Sequence, residues 1–244
     1  MKKTHAAVTG RGSTLRKYQE VVVGSRSWPD LLYFEWCMLL SVLPGALGMA
    51  LRRIFWPRLF GSCGRGCMFG AGIVVRHPGR IRLGRNVVVS EGCVLDGRHT
   101  DCEDVILLGD NVILSNNVML SCKNGTIRIG DNVGLNAQTI VQSTSDCPVE
   151  IGSDCVIGQR CFIIGGGNYH TGRIDIPIRE QGIRPDGGVR LEEDVWLGGN
   201  VTVLGGVTMG RSSIAAAGSV LTRPVDPLTV SMGVPARVIK RRGQ

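Results

Sequence analysis

The chain holds four histidines, His5, His77, His99 and His170. Of these, His170 alone stands where a regular repeat gives way to a long irregular stretch, GGGNYHTGRIDIPIREQGIRPDGGV. An imidazole there is a candidate general base, able to take a proton from a hydroxyl that is hardly ionised at neutral pH. A loop histidine bonded to backbone fits the position equally well. Metal chemistry has less to build on: the four histidines are scattered, and the nine cysteines form no paired CxxC motifs at zinc spacing. No metal site is expected. The odd cysteine count fits reduced thiols and a cytoplasmic location.

The element that must position His170 is a repeat of six. From Cys63 onward an aliphatic residue leads each unit: Cys63, Phe69, Val75; Leu83, Val89, Leu95; Leu108, Leu114, Leu120; Ile129, Leu135, Val141; Ile151, Ile157, Ile163; Leu191, Leu197, Val203; Met209, Ala215, Leu221. A chain that turns a corner every six residues closes a triangular coil after about 18, so the leading residues stack as interior ladders from coil to coil. The expected fold is an all-β solenoid, a parallel β-helix. Corners explain the Gly, Asn and Asp of LGDN, IGDN and IGSD, because β-branched residues resist the backbone angles needed there. A narrow interior explains 35 glycines beside only 5% aromatic residues. Cys67, Cys93, Cys155 and Cys161 each follow a leading residue by four, which marks them as small interior packing residues. The severest break, between Ile163 and Leu191, predicts a protruding loop over 167–188, and long insertions in solenoids usually carry function.

The net charge of +8 is unevenly placed. Residues 1–80 hold 12 Lys/Arg against 3 Asp/Glu, and the remainder 16 against 17. A basic head beside an apolar stretch suits an anionic membrane surface; nucleic acid is not expected as a partner, since no recognition motif is present. Residues 1–30 read as a flexible basic tail without the apolar core of a secretory signal. Residues 31–62 read as an apolar helical leader broken at Pro44, too interrupted by Glu35, Arg52 and Arg53 to span a bilayer. Such helices can lie in the membrane interface or cap the open end of the solenoid. The solenoid itself is placed at 63–225 and a C-terminal tail at 226–244.

The segment VWLGGNVTVLGGVTMGRSSIAAAGSVLTRPV, followed by GVPARVIK, resembles the hexapeptide-repeat acyltransferases, closest to maltose, galactoside and polysaccharide O-acetyltransferases. The likeness covers about residues 63–240. It implies left-handed winding, a homotrimer, acetyl-CoA as acyl donor and a sugar or glycan hydroxyl as acceptor. On the matching positions it implies that His170 is the catalytic base, Asn136 contacts the acceptor, and Trp196, Gly199, Ala217, Thr222 and Lys240 lie along acetyl-CoA. Some relatives have Ser where this chain has Gly199, which leaves a backbone N–H as the oxyanion donor. The apolar leader is similar to that of bacterial enzymes acting on polysaccharides and lipid-linked sugars, implying peripheral association with the cytoplasmic face of the inner membrane. A serine or other small-molecule acetyltransferase is the alternative enzyme, and a non-catalytic trimeric scaffold the alternative without chemistry. A carbonic anhydrase on the same coil would need three converging histidines.

Overall fold

The leading residues of the repeat alternate inward with their neighbours outward, so consecutive coils can pair only in one register. In the computed structural model, which describes residues 13–243, that register is kept throughout. Cys63 lies beside Leu83, then Leu108, Ile129, Ile151, Leu191 and Met209. The second ladder runs from Phe69 to Ala215 and the third from Val75 to Leu221 in the same manner. Three sheets of seven, nine and seven strands result, parallel but for the last pair of the second, wrapped as seven coils of a left-handed parallel β-helix. All the ladder residues are buried except the first, Cys63, which is half-buried. Each large aliphatic side chain so enclosed contributes roughly 1.5–3 kcal/mol over its exposed state.

The corners follow from the residue three places after each leading one. Asn86, Asn111, Asn132 and Asp154 occupy that place in successive coils, all with φ between 56° and 61°. Asn and Asp tolerate this left-handed backbone better than other side chains. They also bond to one another along the edge, Asn86 Nδ2 to Asn111 Oδ1 at 3.0 Å, Asn111 Nδ2 to Asn132 Oδ1 at 2.9 Å and Asn132 Nδ2 to Asp154 Oδ1 at 3.0 Å.

Every departure from the six-residue period lies at one corner. The steps from first to second sheet and from second to third are always six residues, whereas the return from third to first takes eight from Val75 to Leu83 and 28 from Ile163 to Leu191. All side-chain variety carried on insertions therefore lies along a single edge.

At the start of the solenoid, α1 (Thr14–Tyr18) runs through a π-helical turn (Gln19–Val23) towards α2 (Trp28–Ser41) and α3 (Gly45–Phe55). The helical region thus begins well before residue 31. The segment expected to be a flexible tail is folded from residue 13 onward, because the first coil needs a cover for its open interior; residues 1–12 lie outside the described residues. Phe60 stacks on Phe69 with ring centroids 5.6 Å apart, and Trp56 meets Phe69 at 5.4 Å. Arg52, one of the charges that interrupt the apolar leader, is buried: it donates to the carbonyls of Leu40, Leu43 and Phe69, tying the end of α2 to the first coil. Gly48 beside it has no room for a side chain, since a Cβ would lie 2.0 Å from Leu43 O. No helix among the described residues is long and apolar enough to cross a membrane.

The C-terminal segment is likewise more than a tail. Thr229–Gly233 adds to the second sheet beside Ile214–Ala215, and Ala236–Arg241 folds back antiparallel on it. These strands cover the far end of the second sheet.

Cys67, Cys93, Cys155 and Cys161 are buried in the interior, as their spacing predicts. Burial pushes the thiols of Cys93 and Cys155 up to about 11, which makes them inert packing groups. Cys67 differs: a hydrogen bond with neighbouring Cys63 lowers its thiol below the ordinary cysteine value.

Candidate active site

His170 lies seven residues beyond Ile163, where the third sheet of coil 5 ends and the longest insertion begins. Two features give the insertion a fixed base. Asp186 near its end accepts hydrogen bonds from the backbone N–H of Gly166 and of Gly188, at 3.0 and 2.9 Å, and from Asn168 Nδ2 at 2.9 Å. Antiparallel pairing then continues outward, with Arg184 N on Asn168 O, a Tyr169–Ile183 bridge and His170 N on Gly182 O at 3.1 Å. Further out, Gln181 bonds to both the N–H and the carbonyl of Arg173. The coil above is shaped to receive this clamp, because a Cβ on Gly205 would fall 1.8 Å from an Asp186 oxygen. Asp186, which fixes the base of the insertion, is a residue the sequence reading missed; its only signal was the turn setting Pro-Asp-Gly-Gly.

The His170 side chain projects into solvent. The two other histidines among the described residues are already engaged. His77 donates from Nε2 to Glu20 O at 2.9 Å, and His99 Nδ1 accepts from the N–H groups of Asp101 and Cys102. Both hold turns. His170 is the imidazole left available for chemistry among the described residues.

The remaining candidates lie elsewhere on the prism. Asn136, Gly199 and Ala217 sit one or two places after the second-ladder residues Leu135, Leu197 and Ala215, so they share the edge between second and third sheets in coils 4, 6 and 7. Asn136 donates from Nδ2 to Ile157 O at 2.9 Å, which fixes its carboxamide and leaves its oxygen facing out. The Gly199 N–H takes no part in the coil-to-coil hydrogen bonding, while its carbonyl accepts from Gly218. Trp196 stands on the outer wall of the second sheet between Val156 and Ile214, 52% exposed. Thr222 is exposed at the same edge as His170, two coils on. Lys240 lies exposed on the last strand. Of the basic cluster at the C-terminus, Arg242 is held by Asp194 at 2.7 Å, whereas Lys240 and Arg241 have no ion pair among the described residues. Hydrogen bonds from Ser212 and Arg242 keep Asp194 below the usual carboxylate range.

Within one chain, His170 and Asn136 are therefore not brought together. A full sheet separates their edges, six residues at about 3.3 Å, or roughly 15–20 Å. Among the described residues no group of three or more His, Cys, Asp or Glu is arranged to hold a metal ion.

The three outer walls differ. On the first sheet the outward residues include Arg82, Arg128, Glu150 and Arg190. The outward residues of the second are Met68, Val88, Ile113, Gly134, Val156, Trp196 and Ile214, and the third shows a similar run from Val74 to Val220. Two walls are thus apolar and one is charged.

A family model of the hexapeptide repeat of succinyl-transferase matches residues 188–223. With seven coils of that repeat, the chain is similar to the hexapeptide-repeat acyltransferases. It is similar to a probable acetyltransferase of Mycobacterium tuberculosis, 26% identical over 168 residues that make up 67% of this chain and 55% of the relative. It is also similar to a putative lipopolysaccharide biosynthesis O-acetyl transferase of Escherichia coli K12, 34% identical over 123 residues, 48% of this chain and 61% of the relative. The chain thus spans little more than half the length of the curated relatives it matches. Among solved structures, an N-acyltransferase from Bacillus cereus in complex with dTDP and coenzyme A shares the fold, with a TM-score of 0.52, 21% identity and coverage of 80% of this chain and 88% of that one.

Proposed function

We propose that the protein is an O-acetyltransferase that moves an acetyl group from acetyl-CoA to a sugar hydroxyl, in surface polysaccharide or lipid-linked glycan biosynthesis, and that it acts as a homotrimer in the cytoplasm. The observation that carries this reading is the Asp186-clamped insertion, which presents the one unengaged imidazole among the described residues. The chain's similarity to a probable acetyltransferase and to a putative O-acetyl transferase of lipopolysaccharide biosynthesis supports the donor and acceptor classes.

The trimer is supported by two features of the isolated chain. Its candidate site is split between edges roughly 15–20 Å apart, so the base of one subunit needs the acceptor and donor groups of a neighbour. The apolar second and third walls flank the edge that carries Asn136 and Gly199, and exposed apolar surface of this extent marks an interface. The residues present suit acetyl-CoA: an outward indole at Trp196, a free N–H at Gly199, and unpaired Lys240 and Arg241 for phosphate charge.

In the reaction, His170 removes the proton of the acceptor hydroxyl as its oxygen attacks the thioester carbonyl. Negative charge then develops on the carbonyl oxygen, where the Gly199 N–H can receive it. Collapse breaks the carbon–sulfur bond, and the imidazolium returns its proton to the leaving thiolate. Asn136, with its amide nitrogen anchored, offers its oxygen to a second sugar hydroxyl.

The test is to incubate the purified protein with acetyl-CoA and a panel of glycan and small-molecule acceptors, and to weigh the products. A glycan gaining one acetyl group is the expected result. Acetylation of serine or another small molecule alone would replace this reading with the alternative enzyme, and a catalytically active monomer in light scattering would remove the trimer.

A further inference from the structure

The helices that cap the first coil have a second face. On α2, Leu31, Phe34, Cys37 and Leu40 are buried against the solenoid, while the opposite side carries Leu32 and Leu39, which are 67% and 63% exposed. On α3, Gly48 and Arg52 are buried, and Leu47 and Ile54 face away. The turn joining the helices is also exposed and apolar, Val42-Leu43-Pro44-Gly45-Ala46, and no residue from Trp36 to Leu51 is charged. A surface turn in water is normally built from polar residues.

The hairpin lies across the end of the coil. It is tied to the second sheet by Arg52 on Phe69 O and to the next corner by Ser41 Oγ on Ile73 O, while the π-helical turn that precedes it reaches the remaining corner through His77 N on Val22 O. Its outer face is therefore directed away from the solenoid along the solenoid axis.

Charge says what covers it. Arg16, Arg53 and Arg58 at this end have no ion pair among the described residues, although most solenoid arginines do. The exposed acids of α2, Glu35 and Asp30, accept hydrogen bonds from the Tyr18 hydroxyl at 2.5 Å and Ser25 Oγ at 2.6 Å and keep their charge, but residues 13–60 hold six Lys/Arg against three Asp/Glu, so this end is net positive. A second copy docked end to end would press these cations against their own counterparts. An anionic surface would neutralise them.

We propose that the outer face of the α2–α3 hairpin docks on an anionic lipid bilayer and stands the solenoid upright on it. The His170 loop leaves coil 5, four steps above the capped coil. At about 4.8 Å per step, plus a helix layer of about 10 Å, it is held roughly 30 Å from the membrane. Resting on the proposed function for its chemistry, this assigns the acceptor: a lipid-linked glycan of several sugars, whose distal hydroxyls reach that height, in preference to a single sugar at the headgroup level.

Docking is tested without catalysis. The full chain and a Leu39→Gln/Val42→Gln/Leu47→Gln variant are sedimented with phosphatidylglycerol vesicles and with phosphatidylcholine vesicles, after circular dichroism has shown both proteins folded. The native chain is expected to bind phosphatidylglycerol at least tenfold more strongly than phosphatidylcholine, and the variant to lose at least tenfold on phosphatidylglycerol. Equal binding by the two proteins, or no sedimentation of the native chain, overturns the docking face. So does a doubled assembly in light scattering that the variant abolishes, because the face then joins two copies. Orientation is tested with vesicle-borne acceptors of one sugar and of several: faster transfer to the longer one supports the upright stance, and equal rates overturn it. If no acceptor of any length is acetylated while vesicle binding stands, the catalytic reading fails and the docking face does not.

Discussion

Two edges of the same prism are built from the same six-residue unit and end up unlike. Between the second and third sheets the spacing never varies, and the edge presents backbone and small side chains: Asn136, Gly199, Ala217. Between the third and first sheets every turn but the last is lengthened, and that edge carries His77, His99 and His170. The regular edge suits a long ligand that must meet fixed donors coil after coil. The irregular edge suits groups that differ from one protein to the next, since loops can change without disturbing the ladders. On the proposed function, the regular edge supplies Asn136 and the Gly199 N–H and the irregular edge supplies the base.

The strongest way to break that comparison is His170→Ala. Loss of a general base costs about 10²- to 10⁴-fold in rate, and because the side chain lies outside the ladders, thermal stability is expected to stay nearly unchanged. A folded variant that acetylates at the native rate would mean that the irregular edge does not supply the base.

Next in size is Leu135→Ala, inside the second ladder directly beneath Asn136. A fully buried Leu replaced by Ala destabilises by about 2–5 kcal/mol, readable as a lower urea midpoint. A shift far below that range would show that the regular edge is less tightly built than its register implies.

Asp186→Ala sharpens the comparison by loosening only the irregular edge. It leaves the Gly166 and Gly188 N–H groups and the Asn168 amide without their acceptor. Turnover should fall about tenfold or more, given how steeply rate depends on placement of a reacting group, while the KM for acetyl-CoA holds. Hydrogen exchange should rise over 166–188 alone; exchange spreading into the coils would argue against an independent loop.

The smallest effect concerns pH. Burial outweighs the Glu20 hydrogen bond and holds His77 below the ordinary histidine value of 6.5. The folded state therefore binds its proton less readily than the unfolded chain, so this stability is complete above about pH 6.5 and is lost as pH falls below it. Protection of the amides at 19–24 should decline in that window, and His77→Asn should flatten the decline.

The leading residues and the Asn and Asp corners could be read directly, because each coil repeats the same local rule: an apolar side chain inward and a left-handed residue three places later. The position of His170 beside a long insertion was readable for the same reason, as a breach of the rule. Asp186 was not, since a carboxylate that accepts from Gly166, Asn168 and Gly188 is defined by atoms up to twenty residues away. The burial of Arg52 was not readable for a similar cause: in the sequence it is one of a charged pair, and only the meeting of the Leu40 and Leu43 carbonyls with the edge of the first coil gives it three backbone acceptors.

The sequence by itself determined the period, the three ladders and the corner chemistry, since these depend on residues six and eighteen places apart that packing must bring into register. Tertiary structure decided what covers the two ends, where Thr14–Phe60 folds over the first coil and Ala236–Arg241 turns back on the last. It also decided that His170 and Asn136 occupy different edges. Those outcomes depend on contacts between segments that share no repeat, and no periodicity in the chain encodes them.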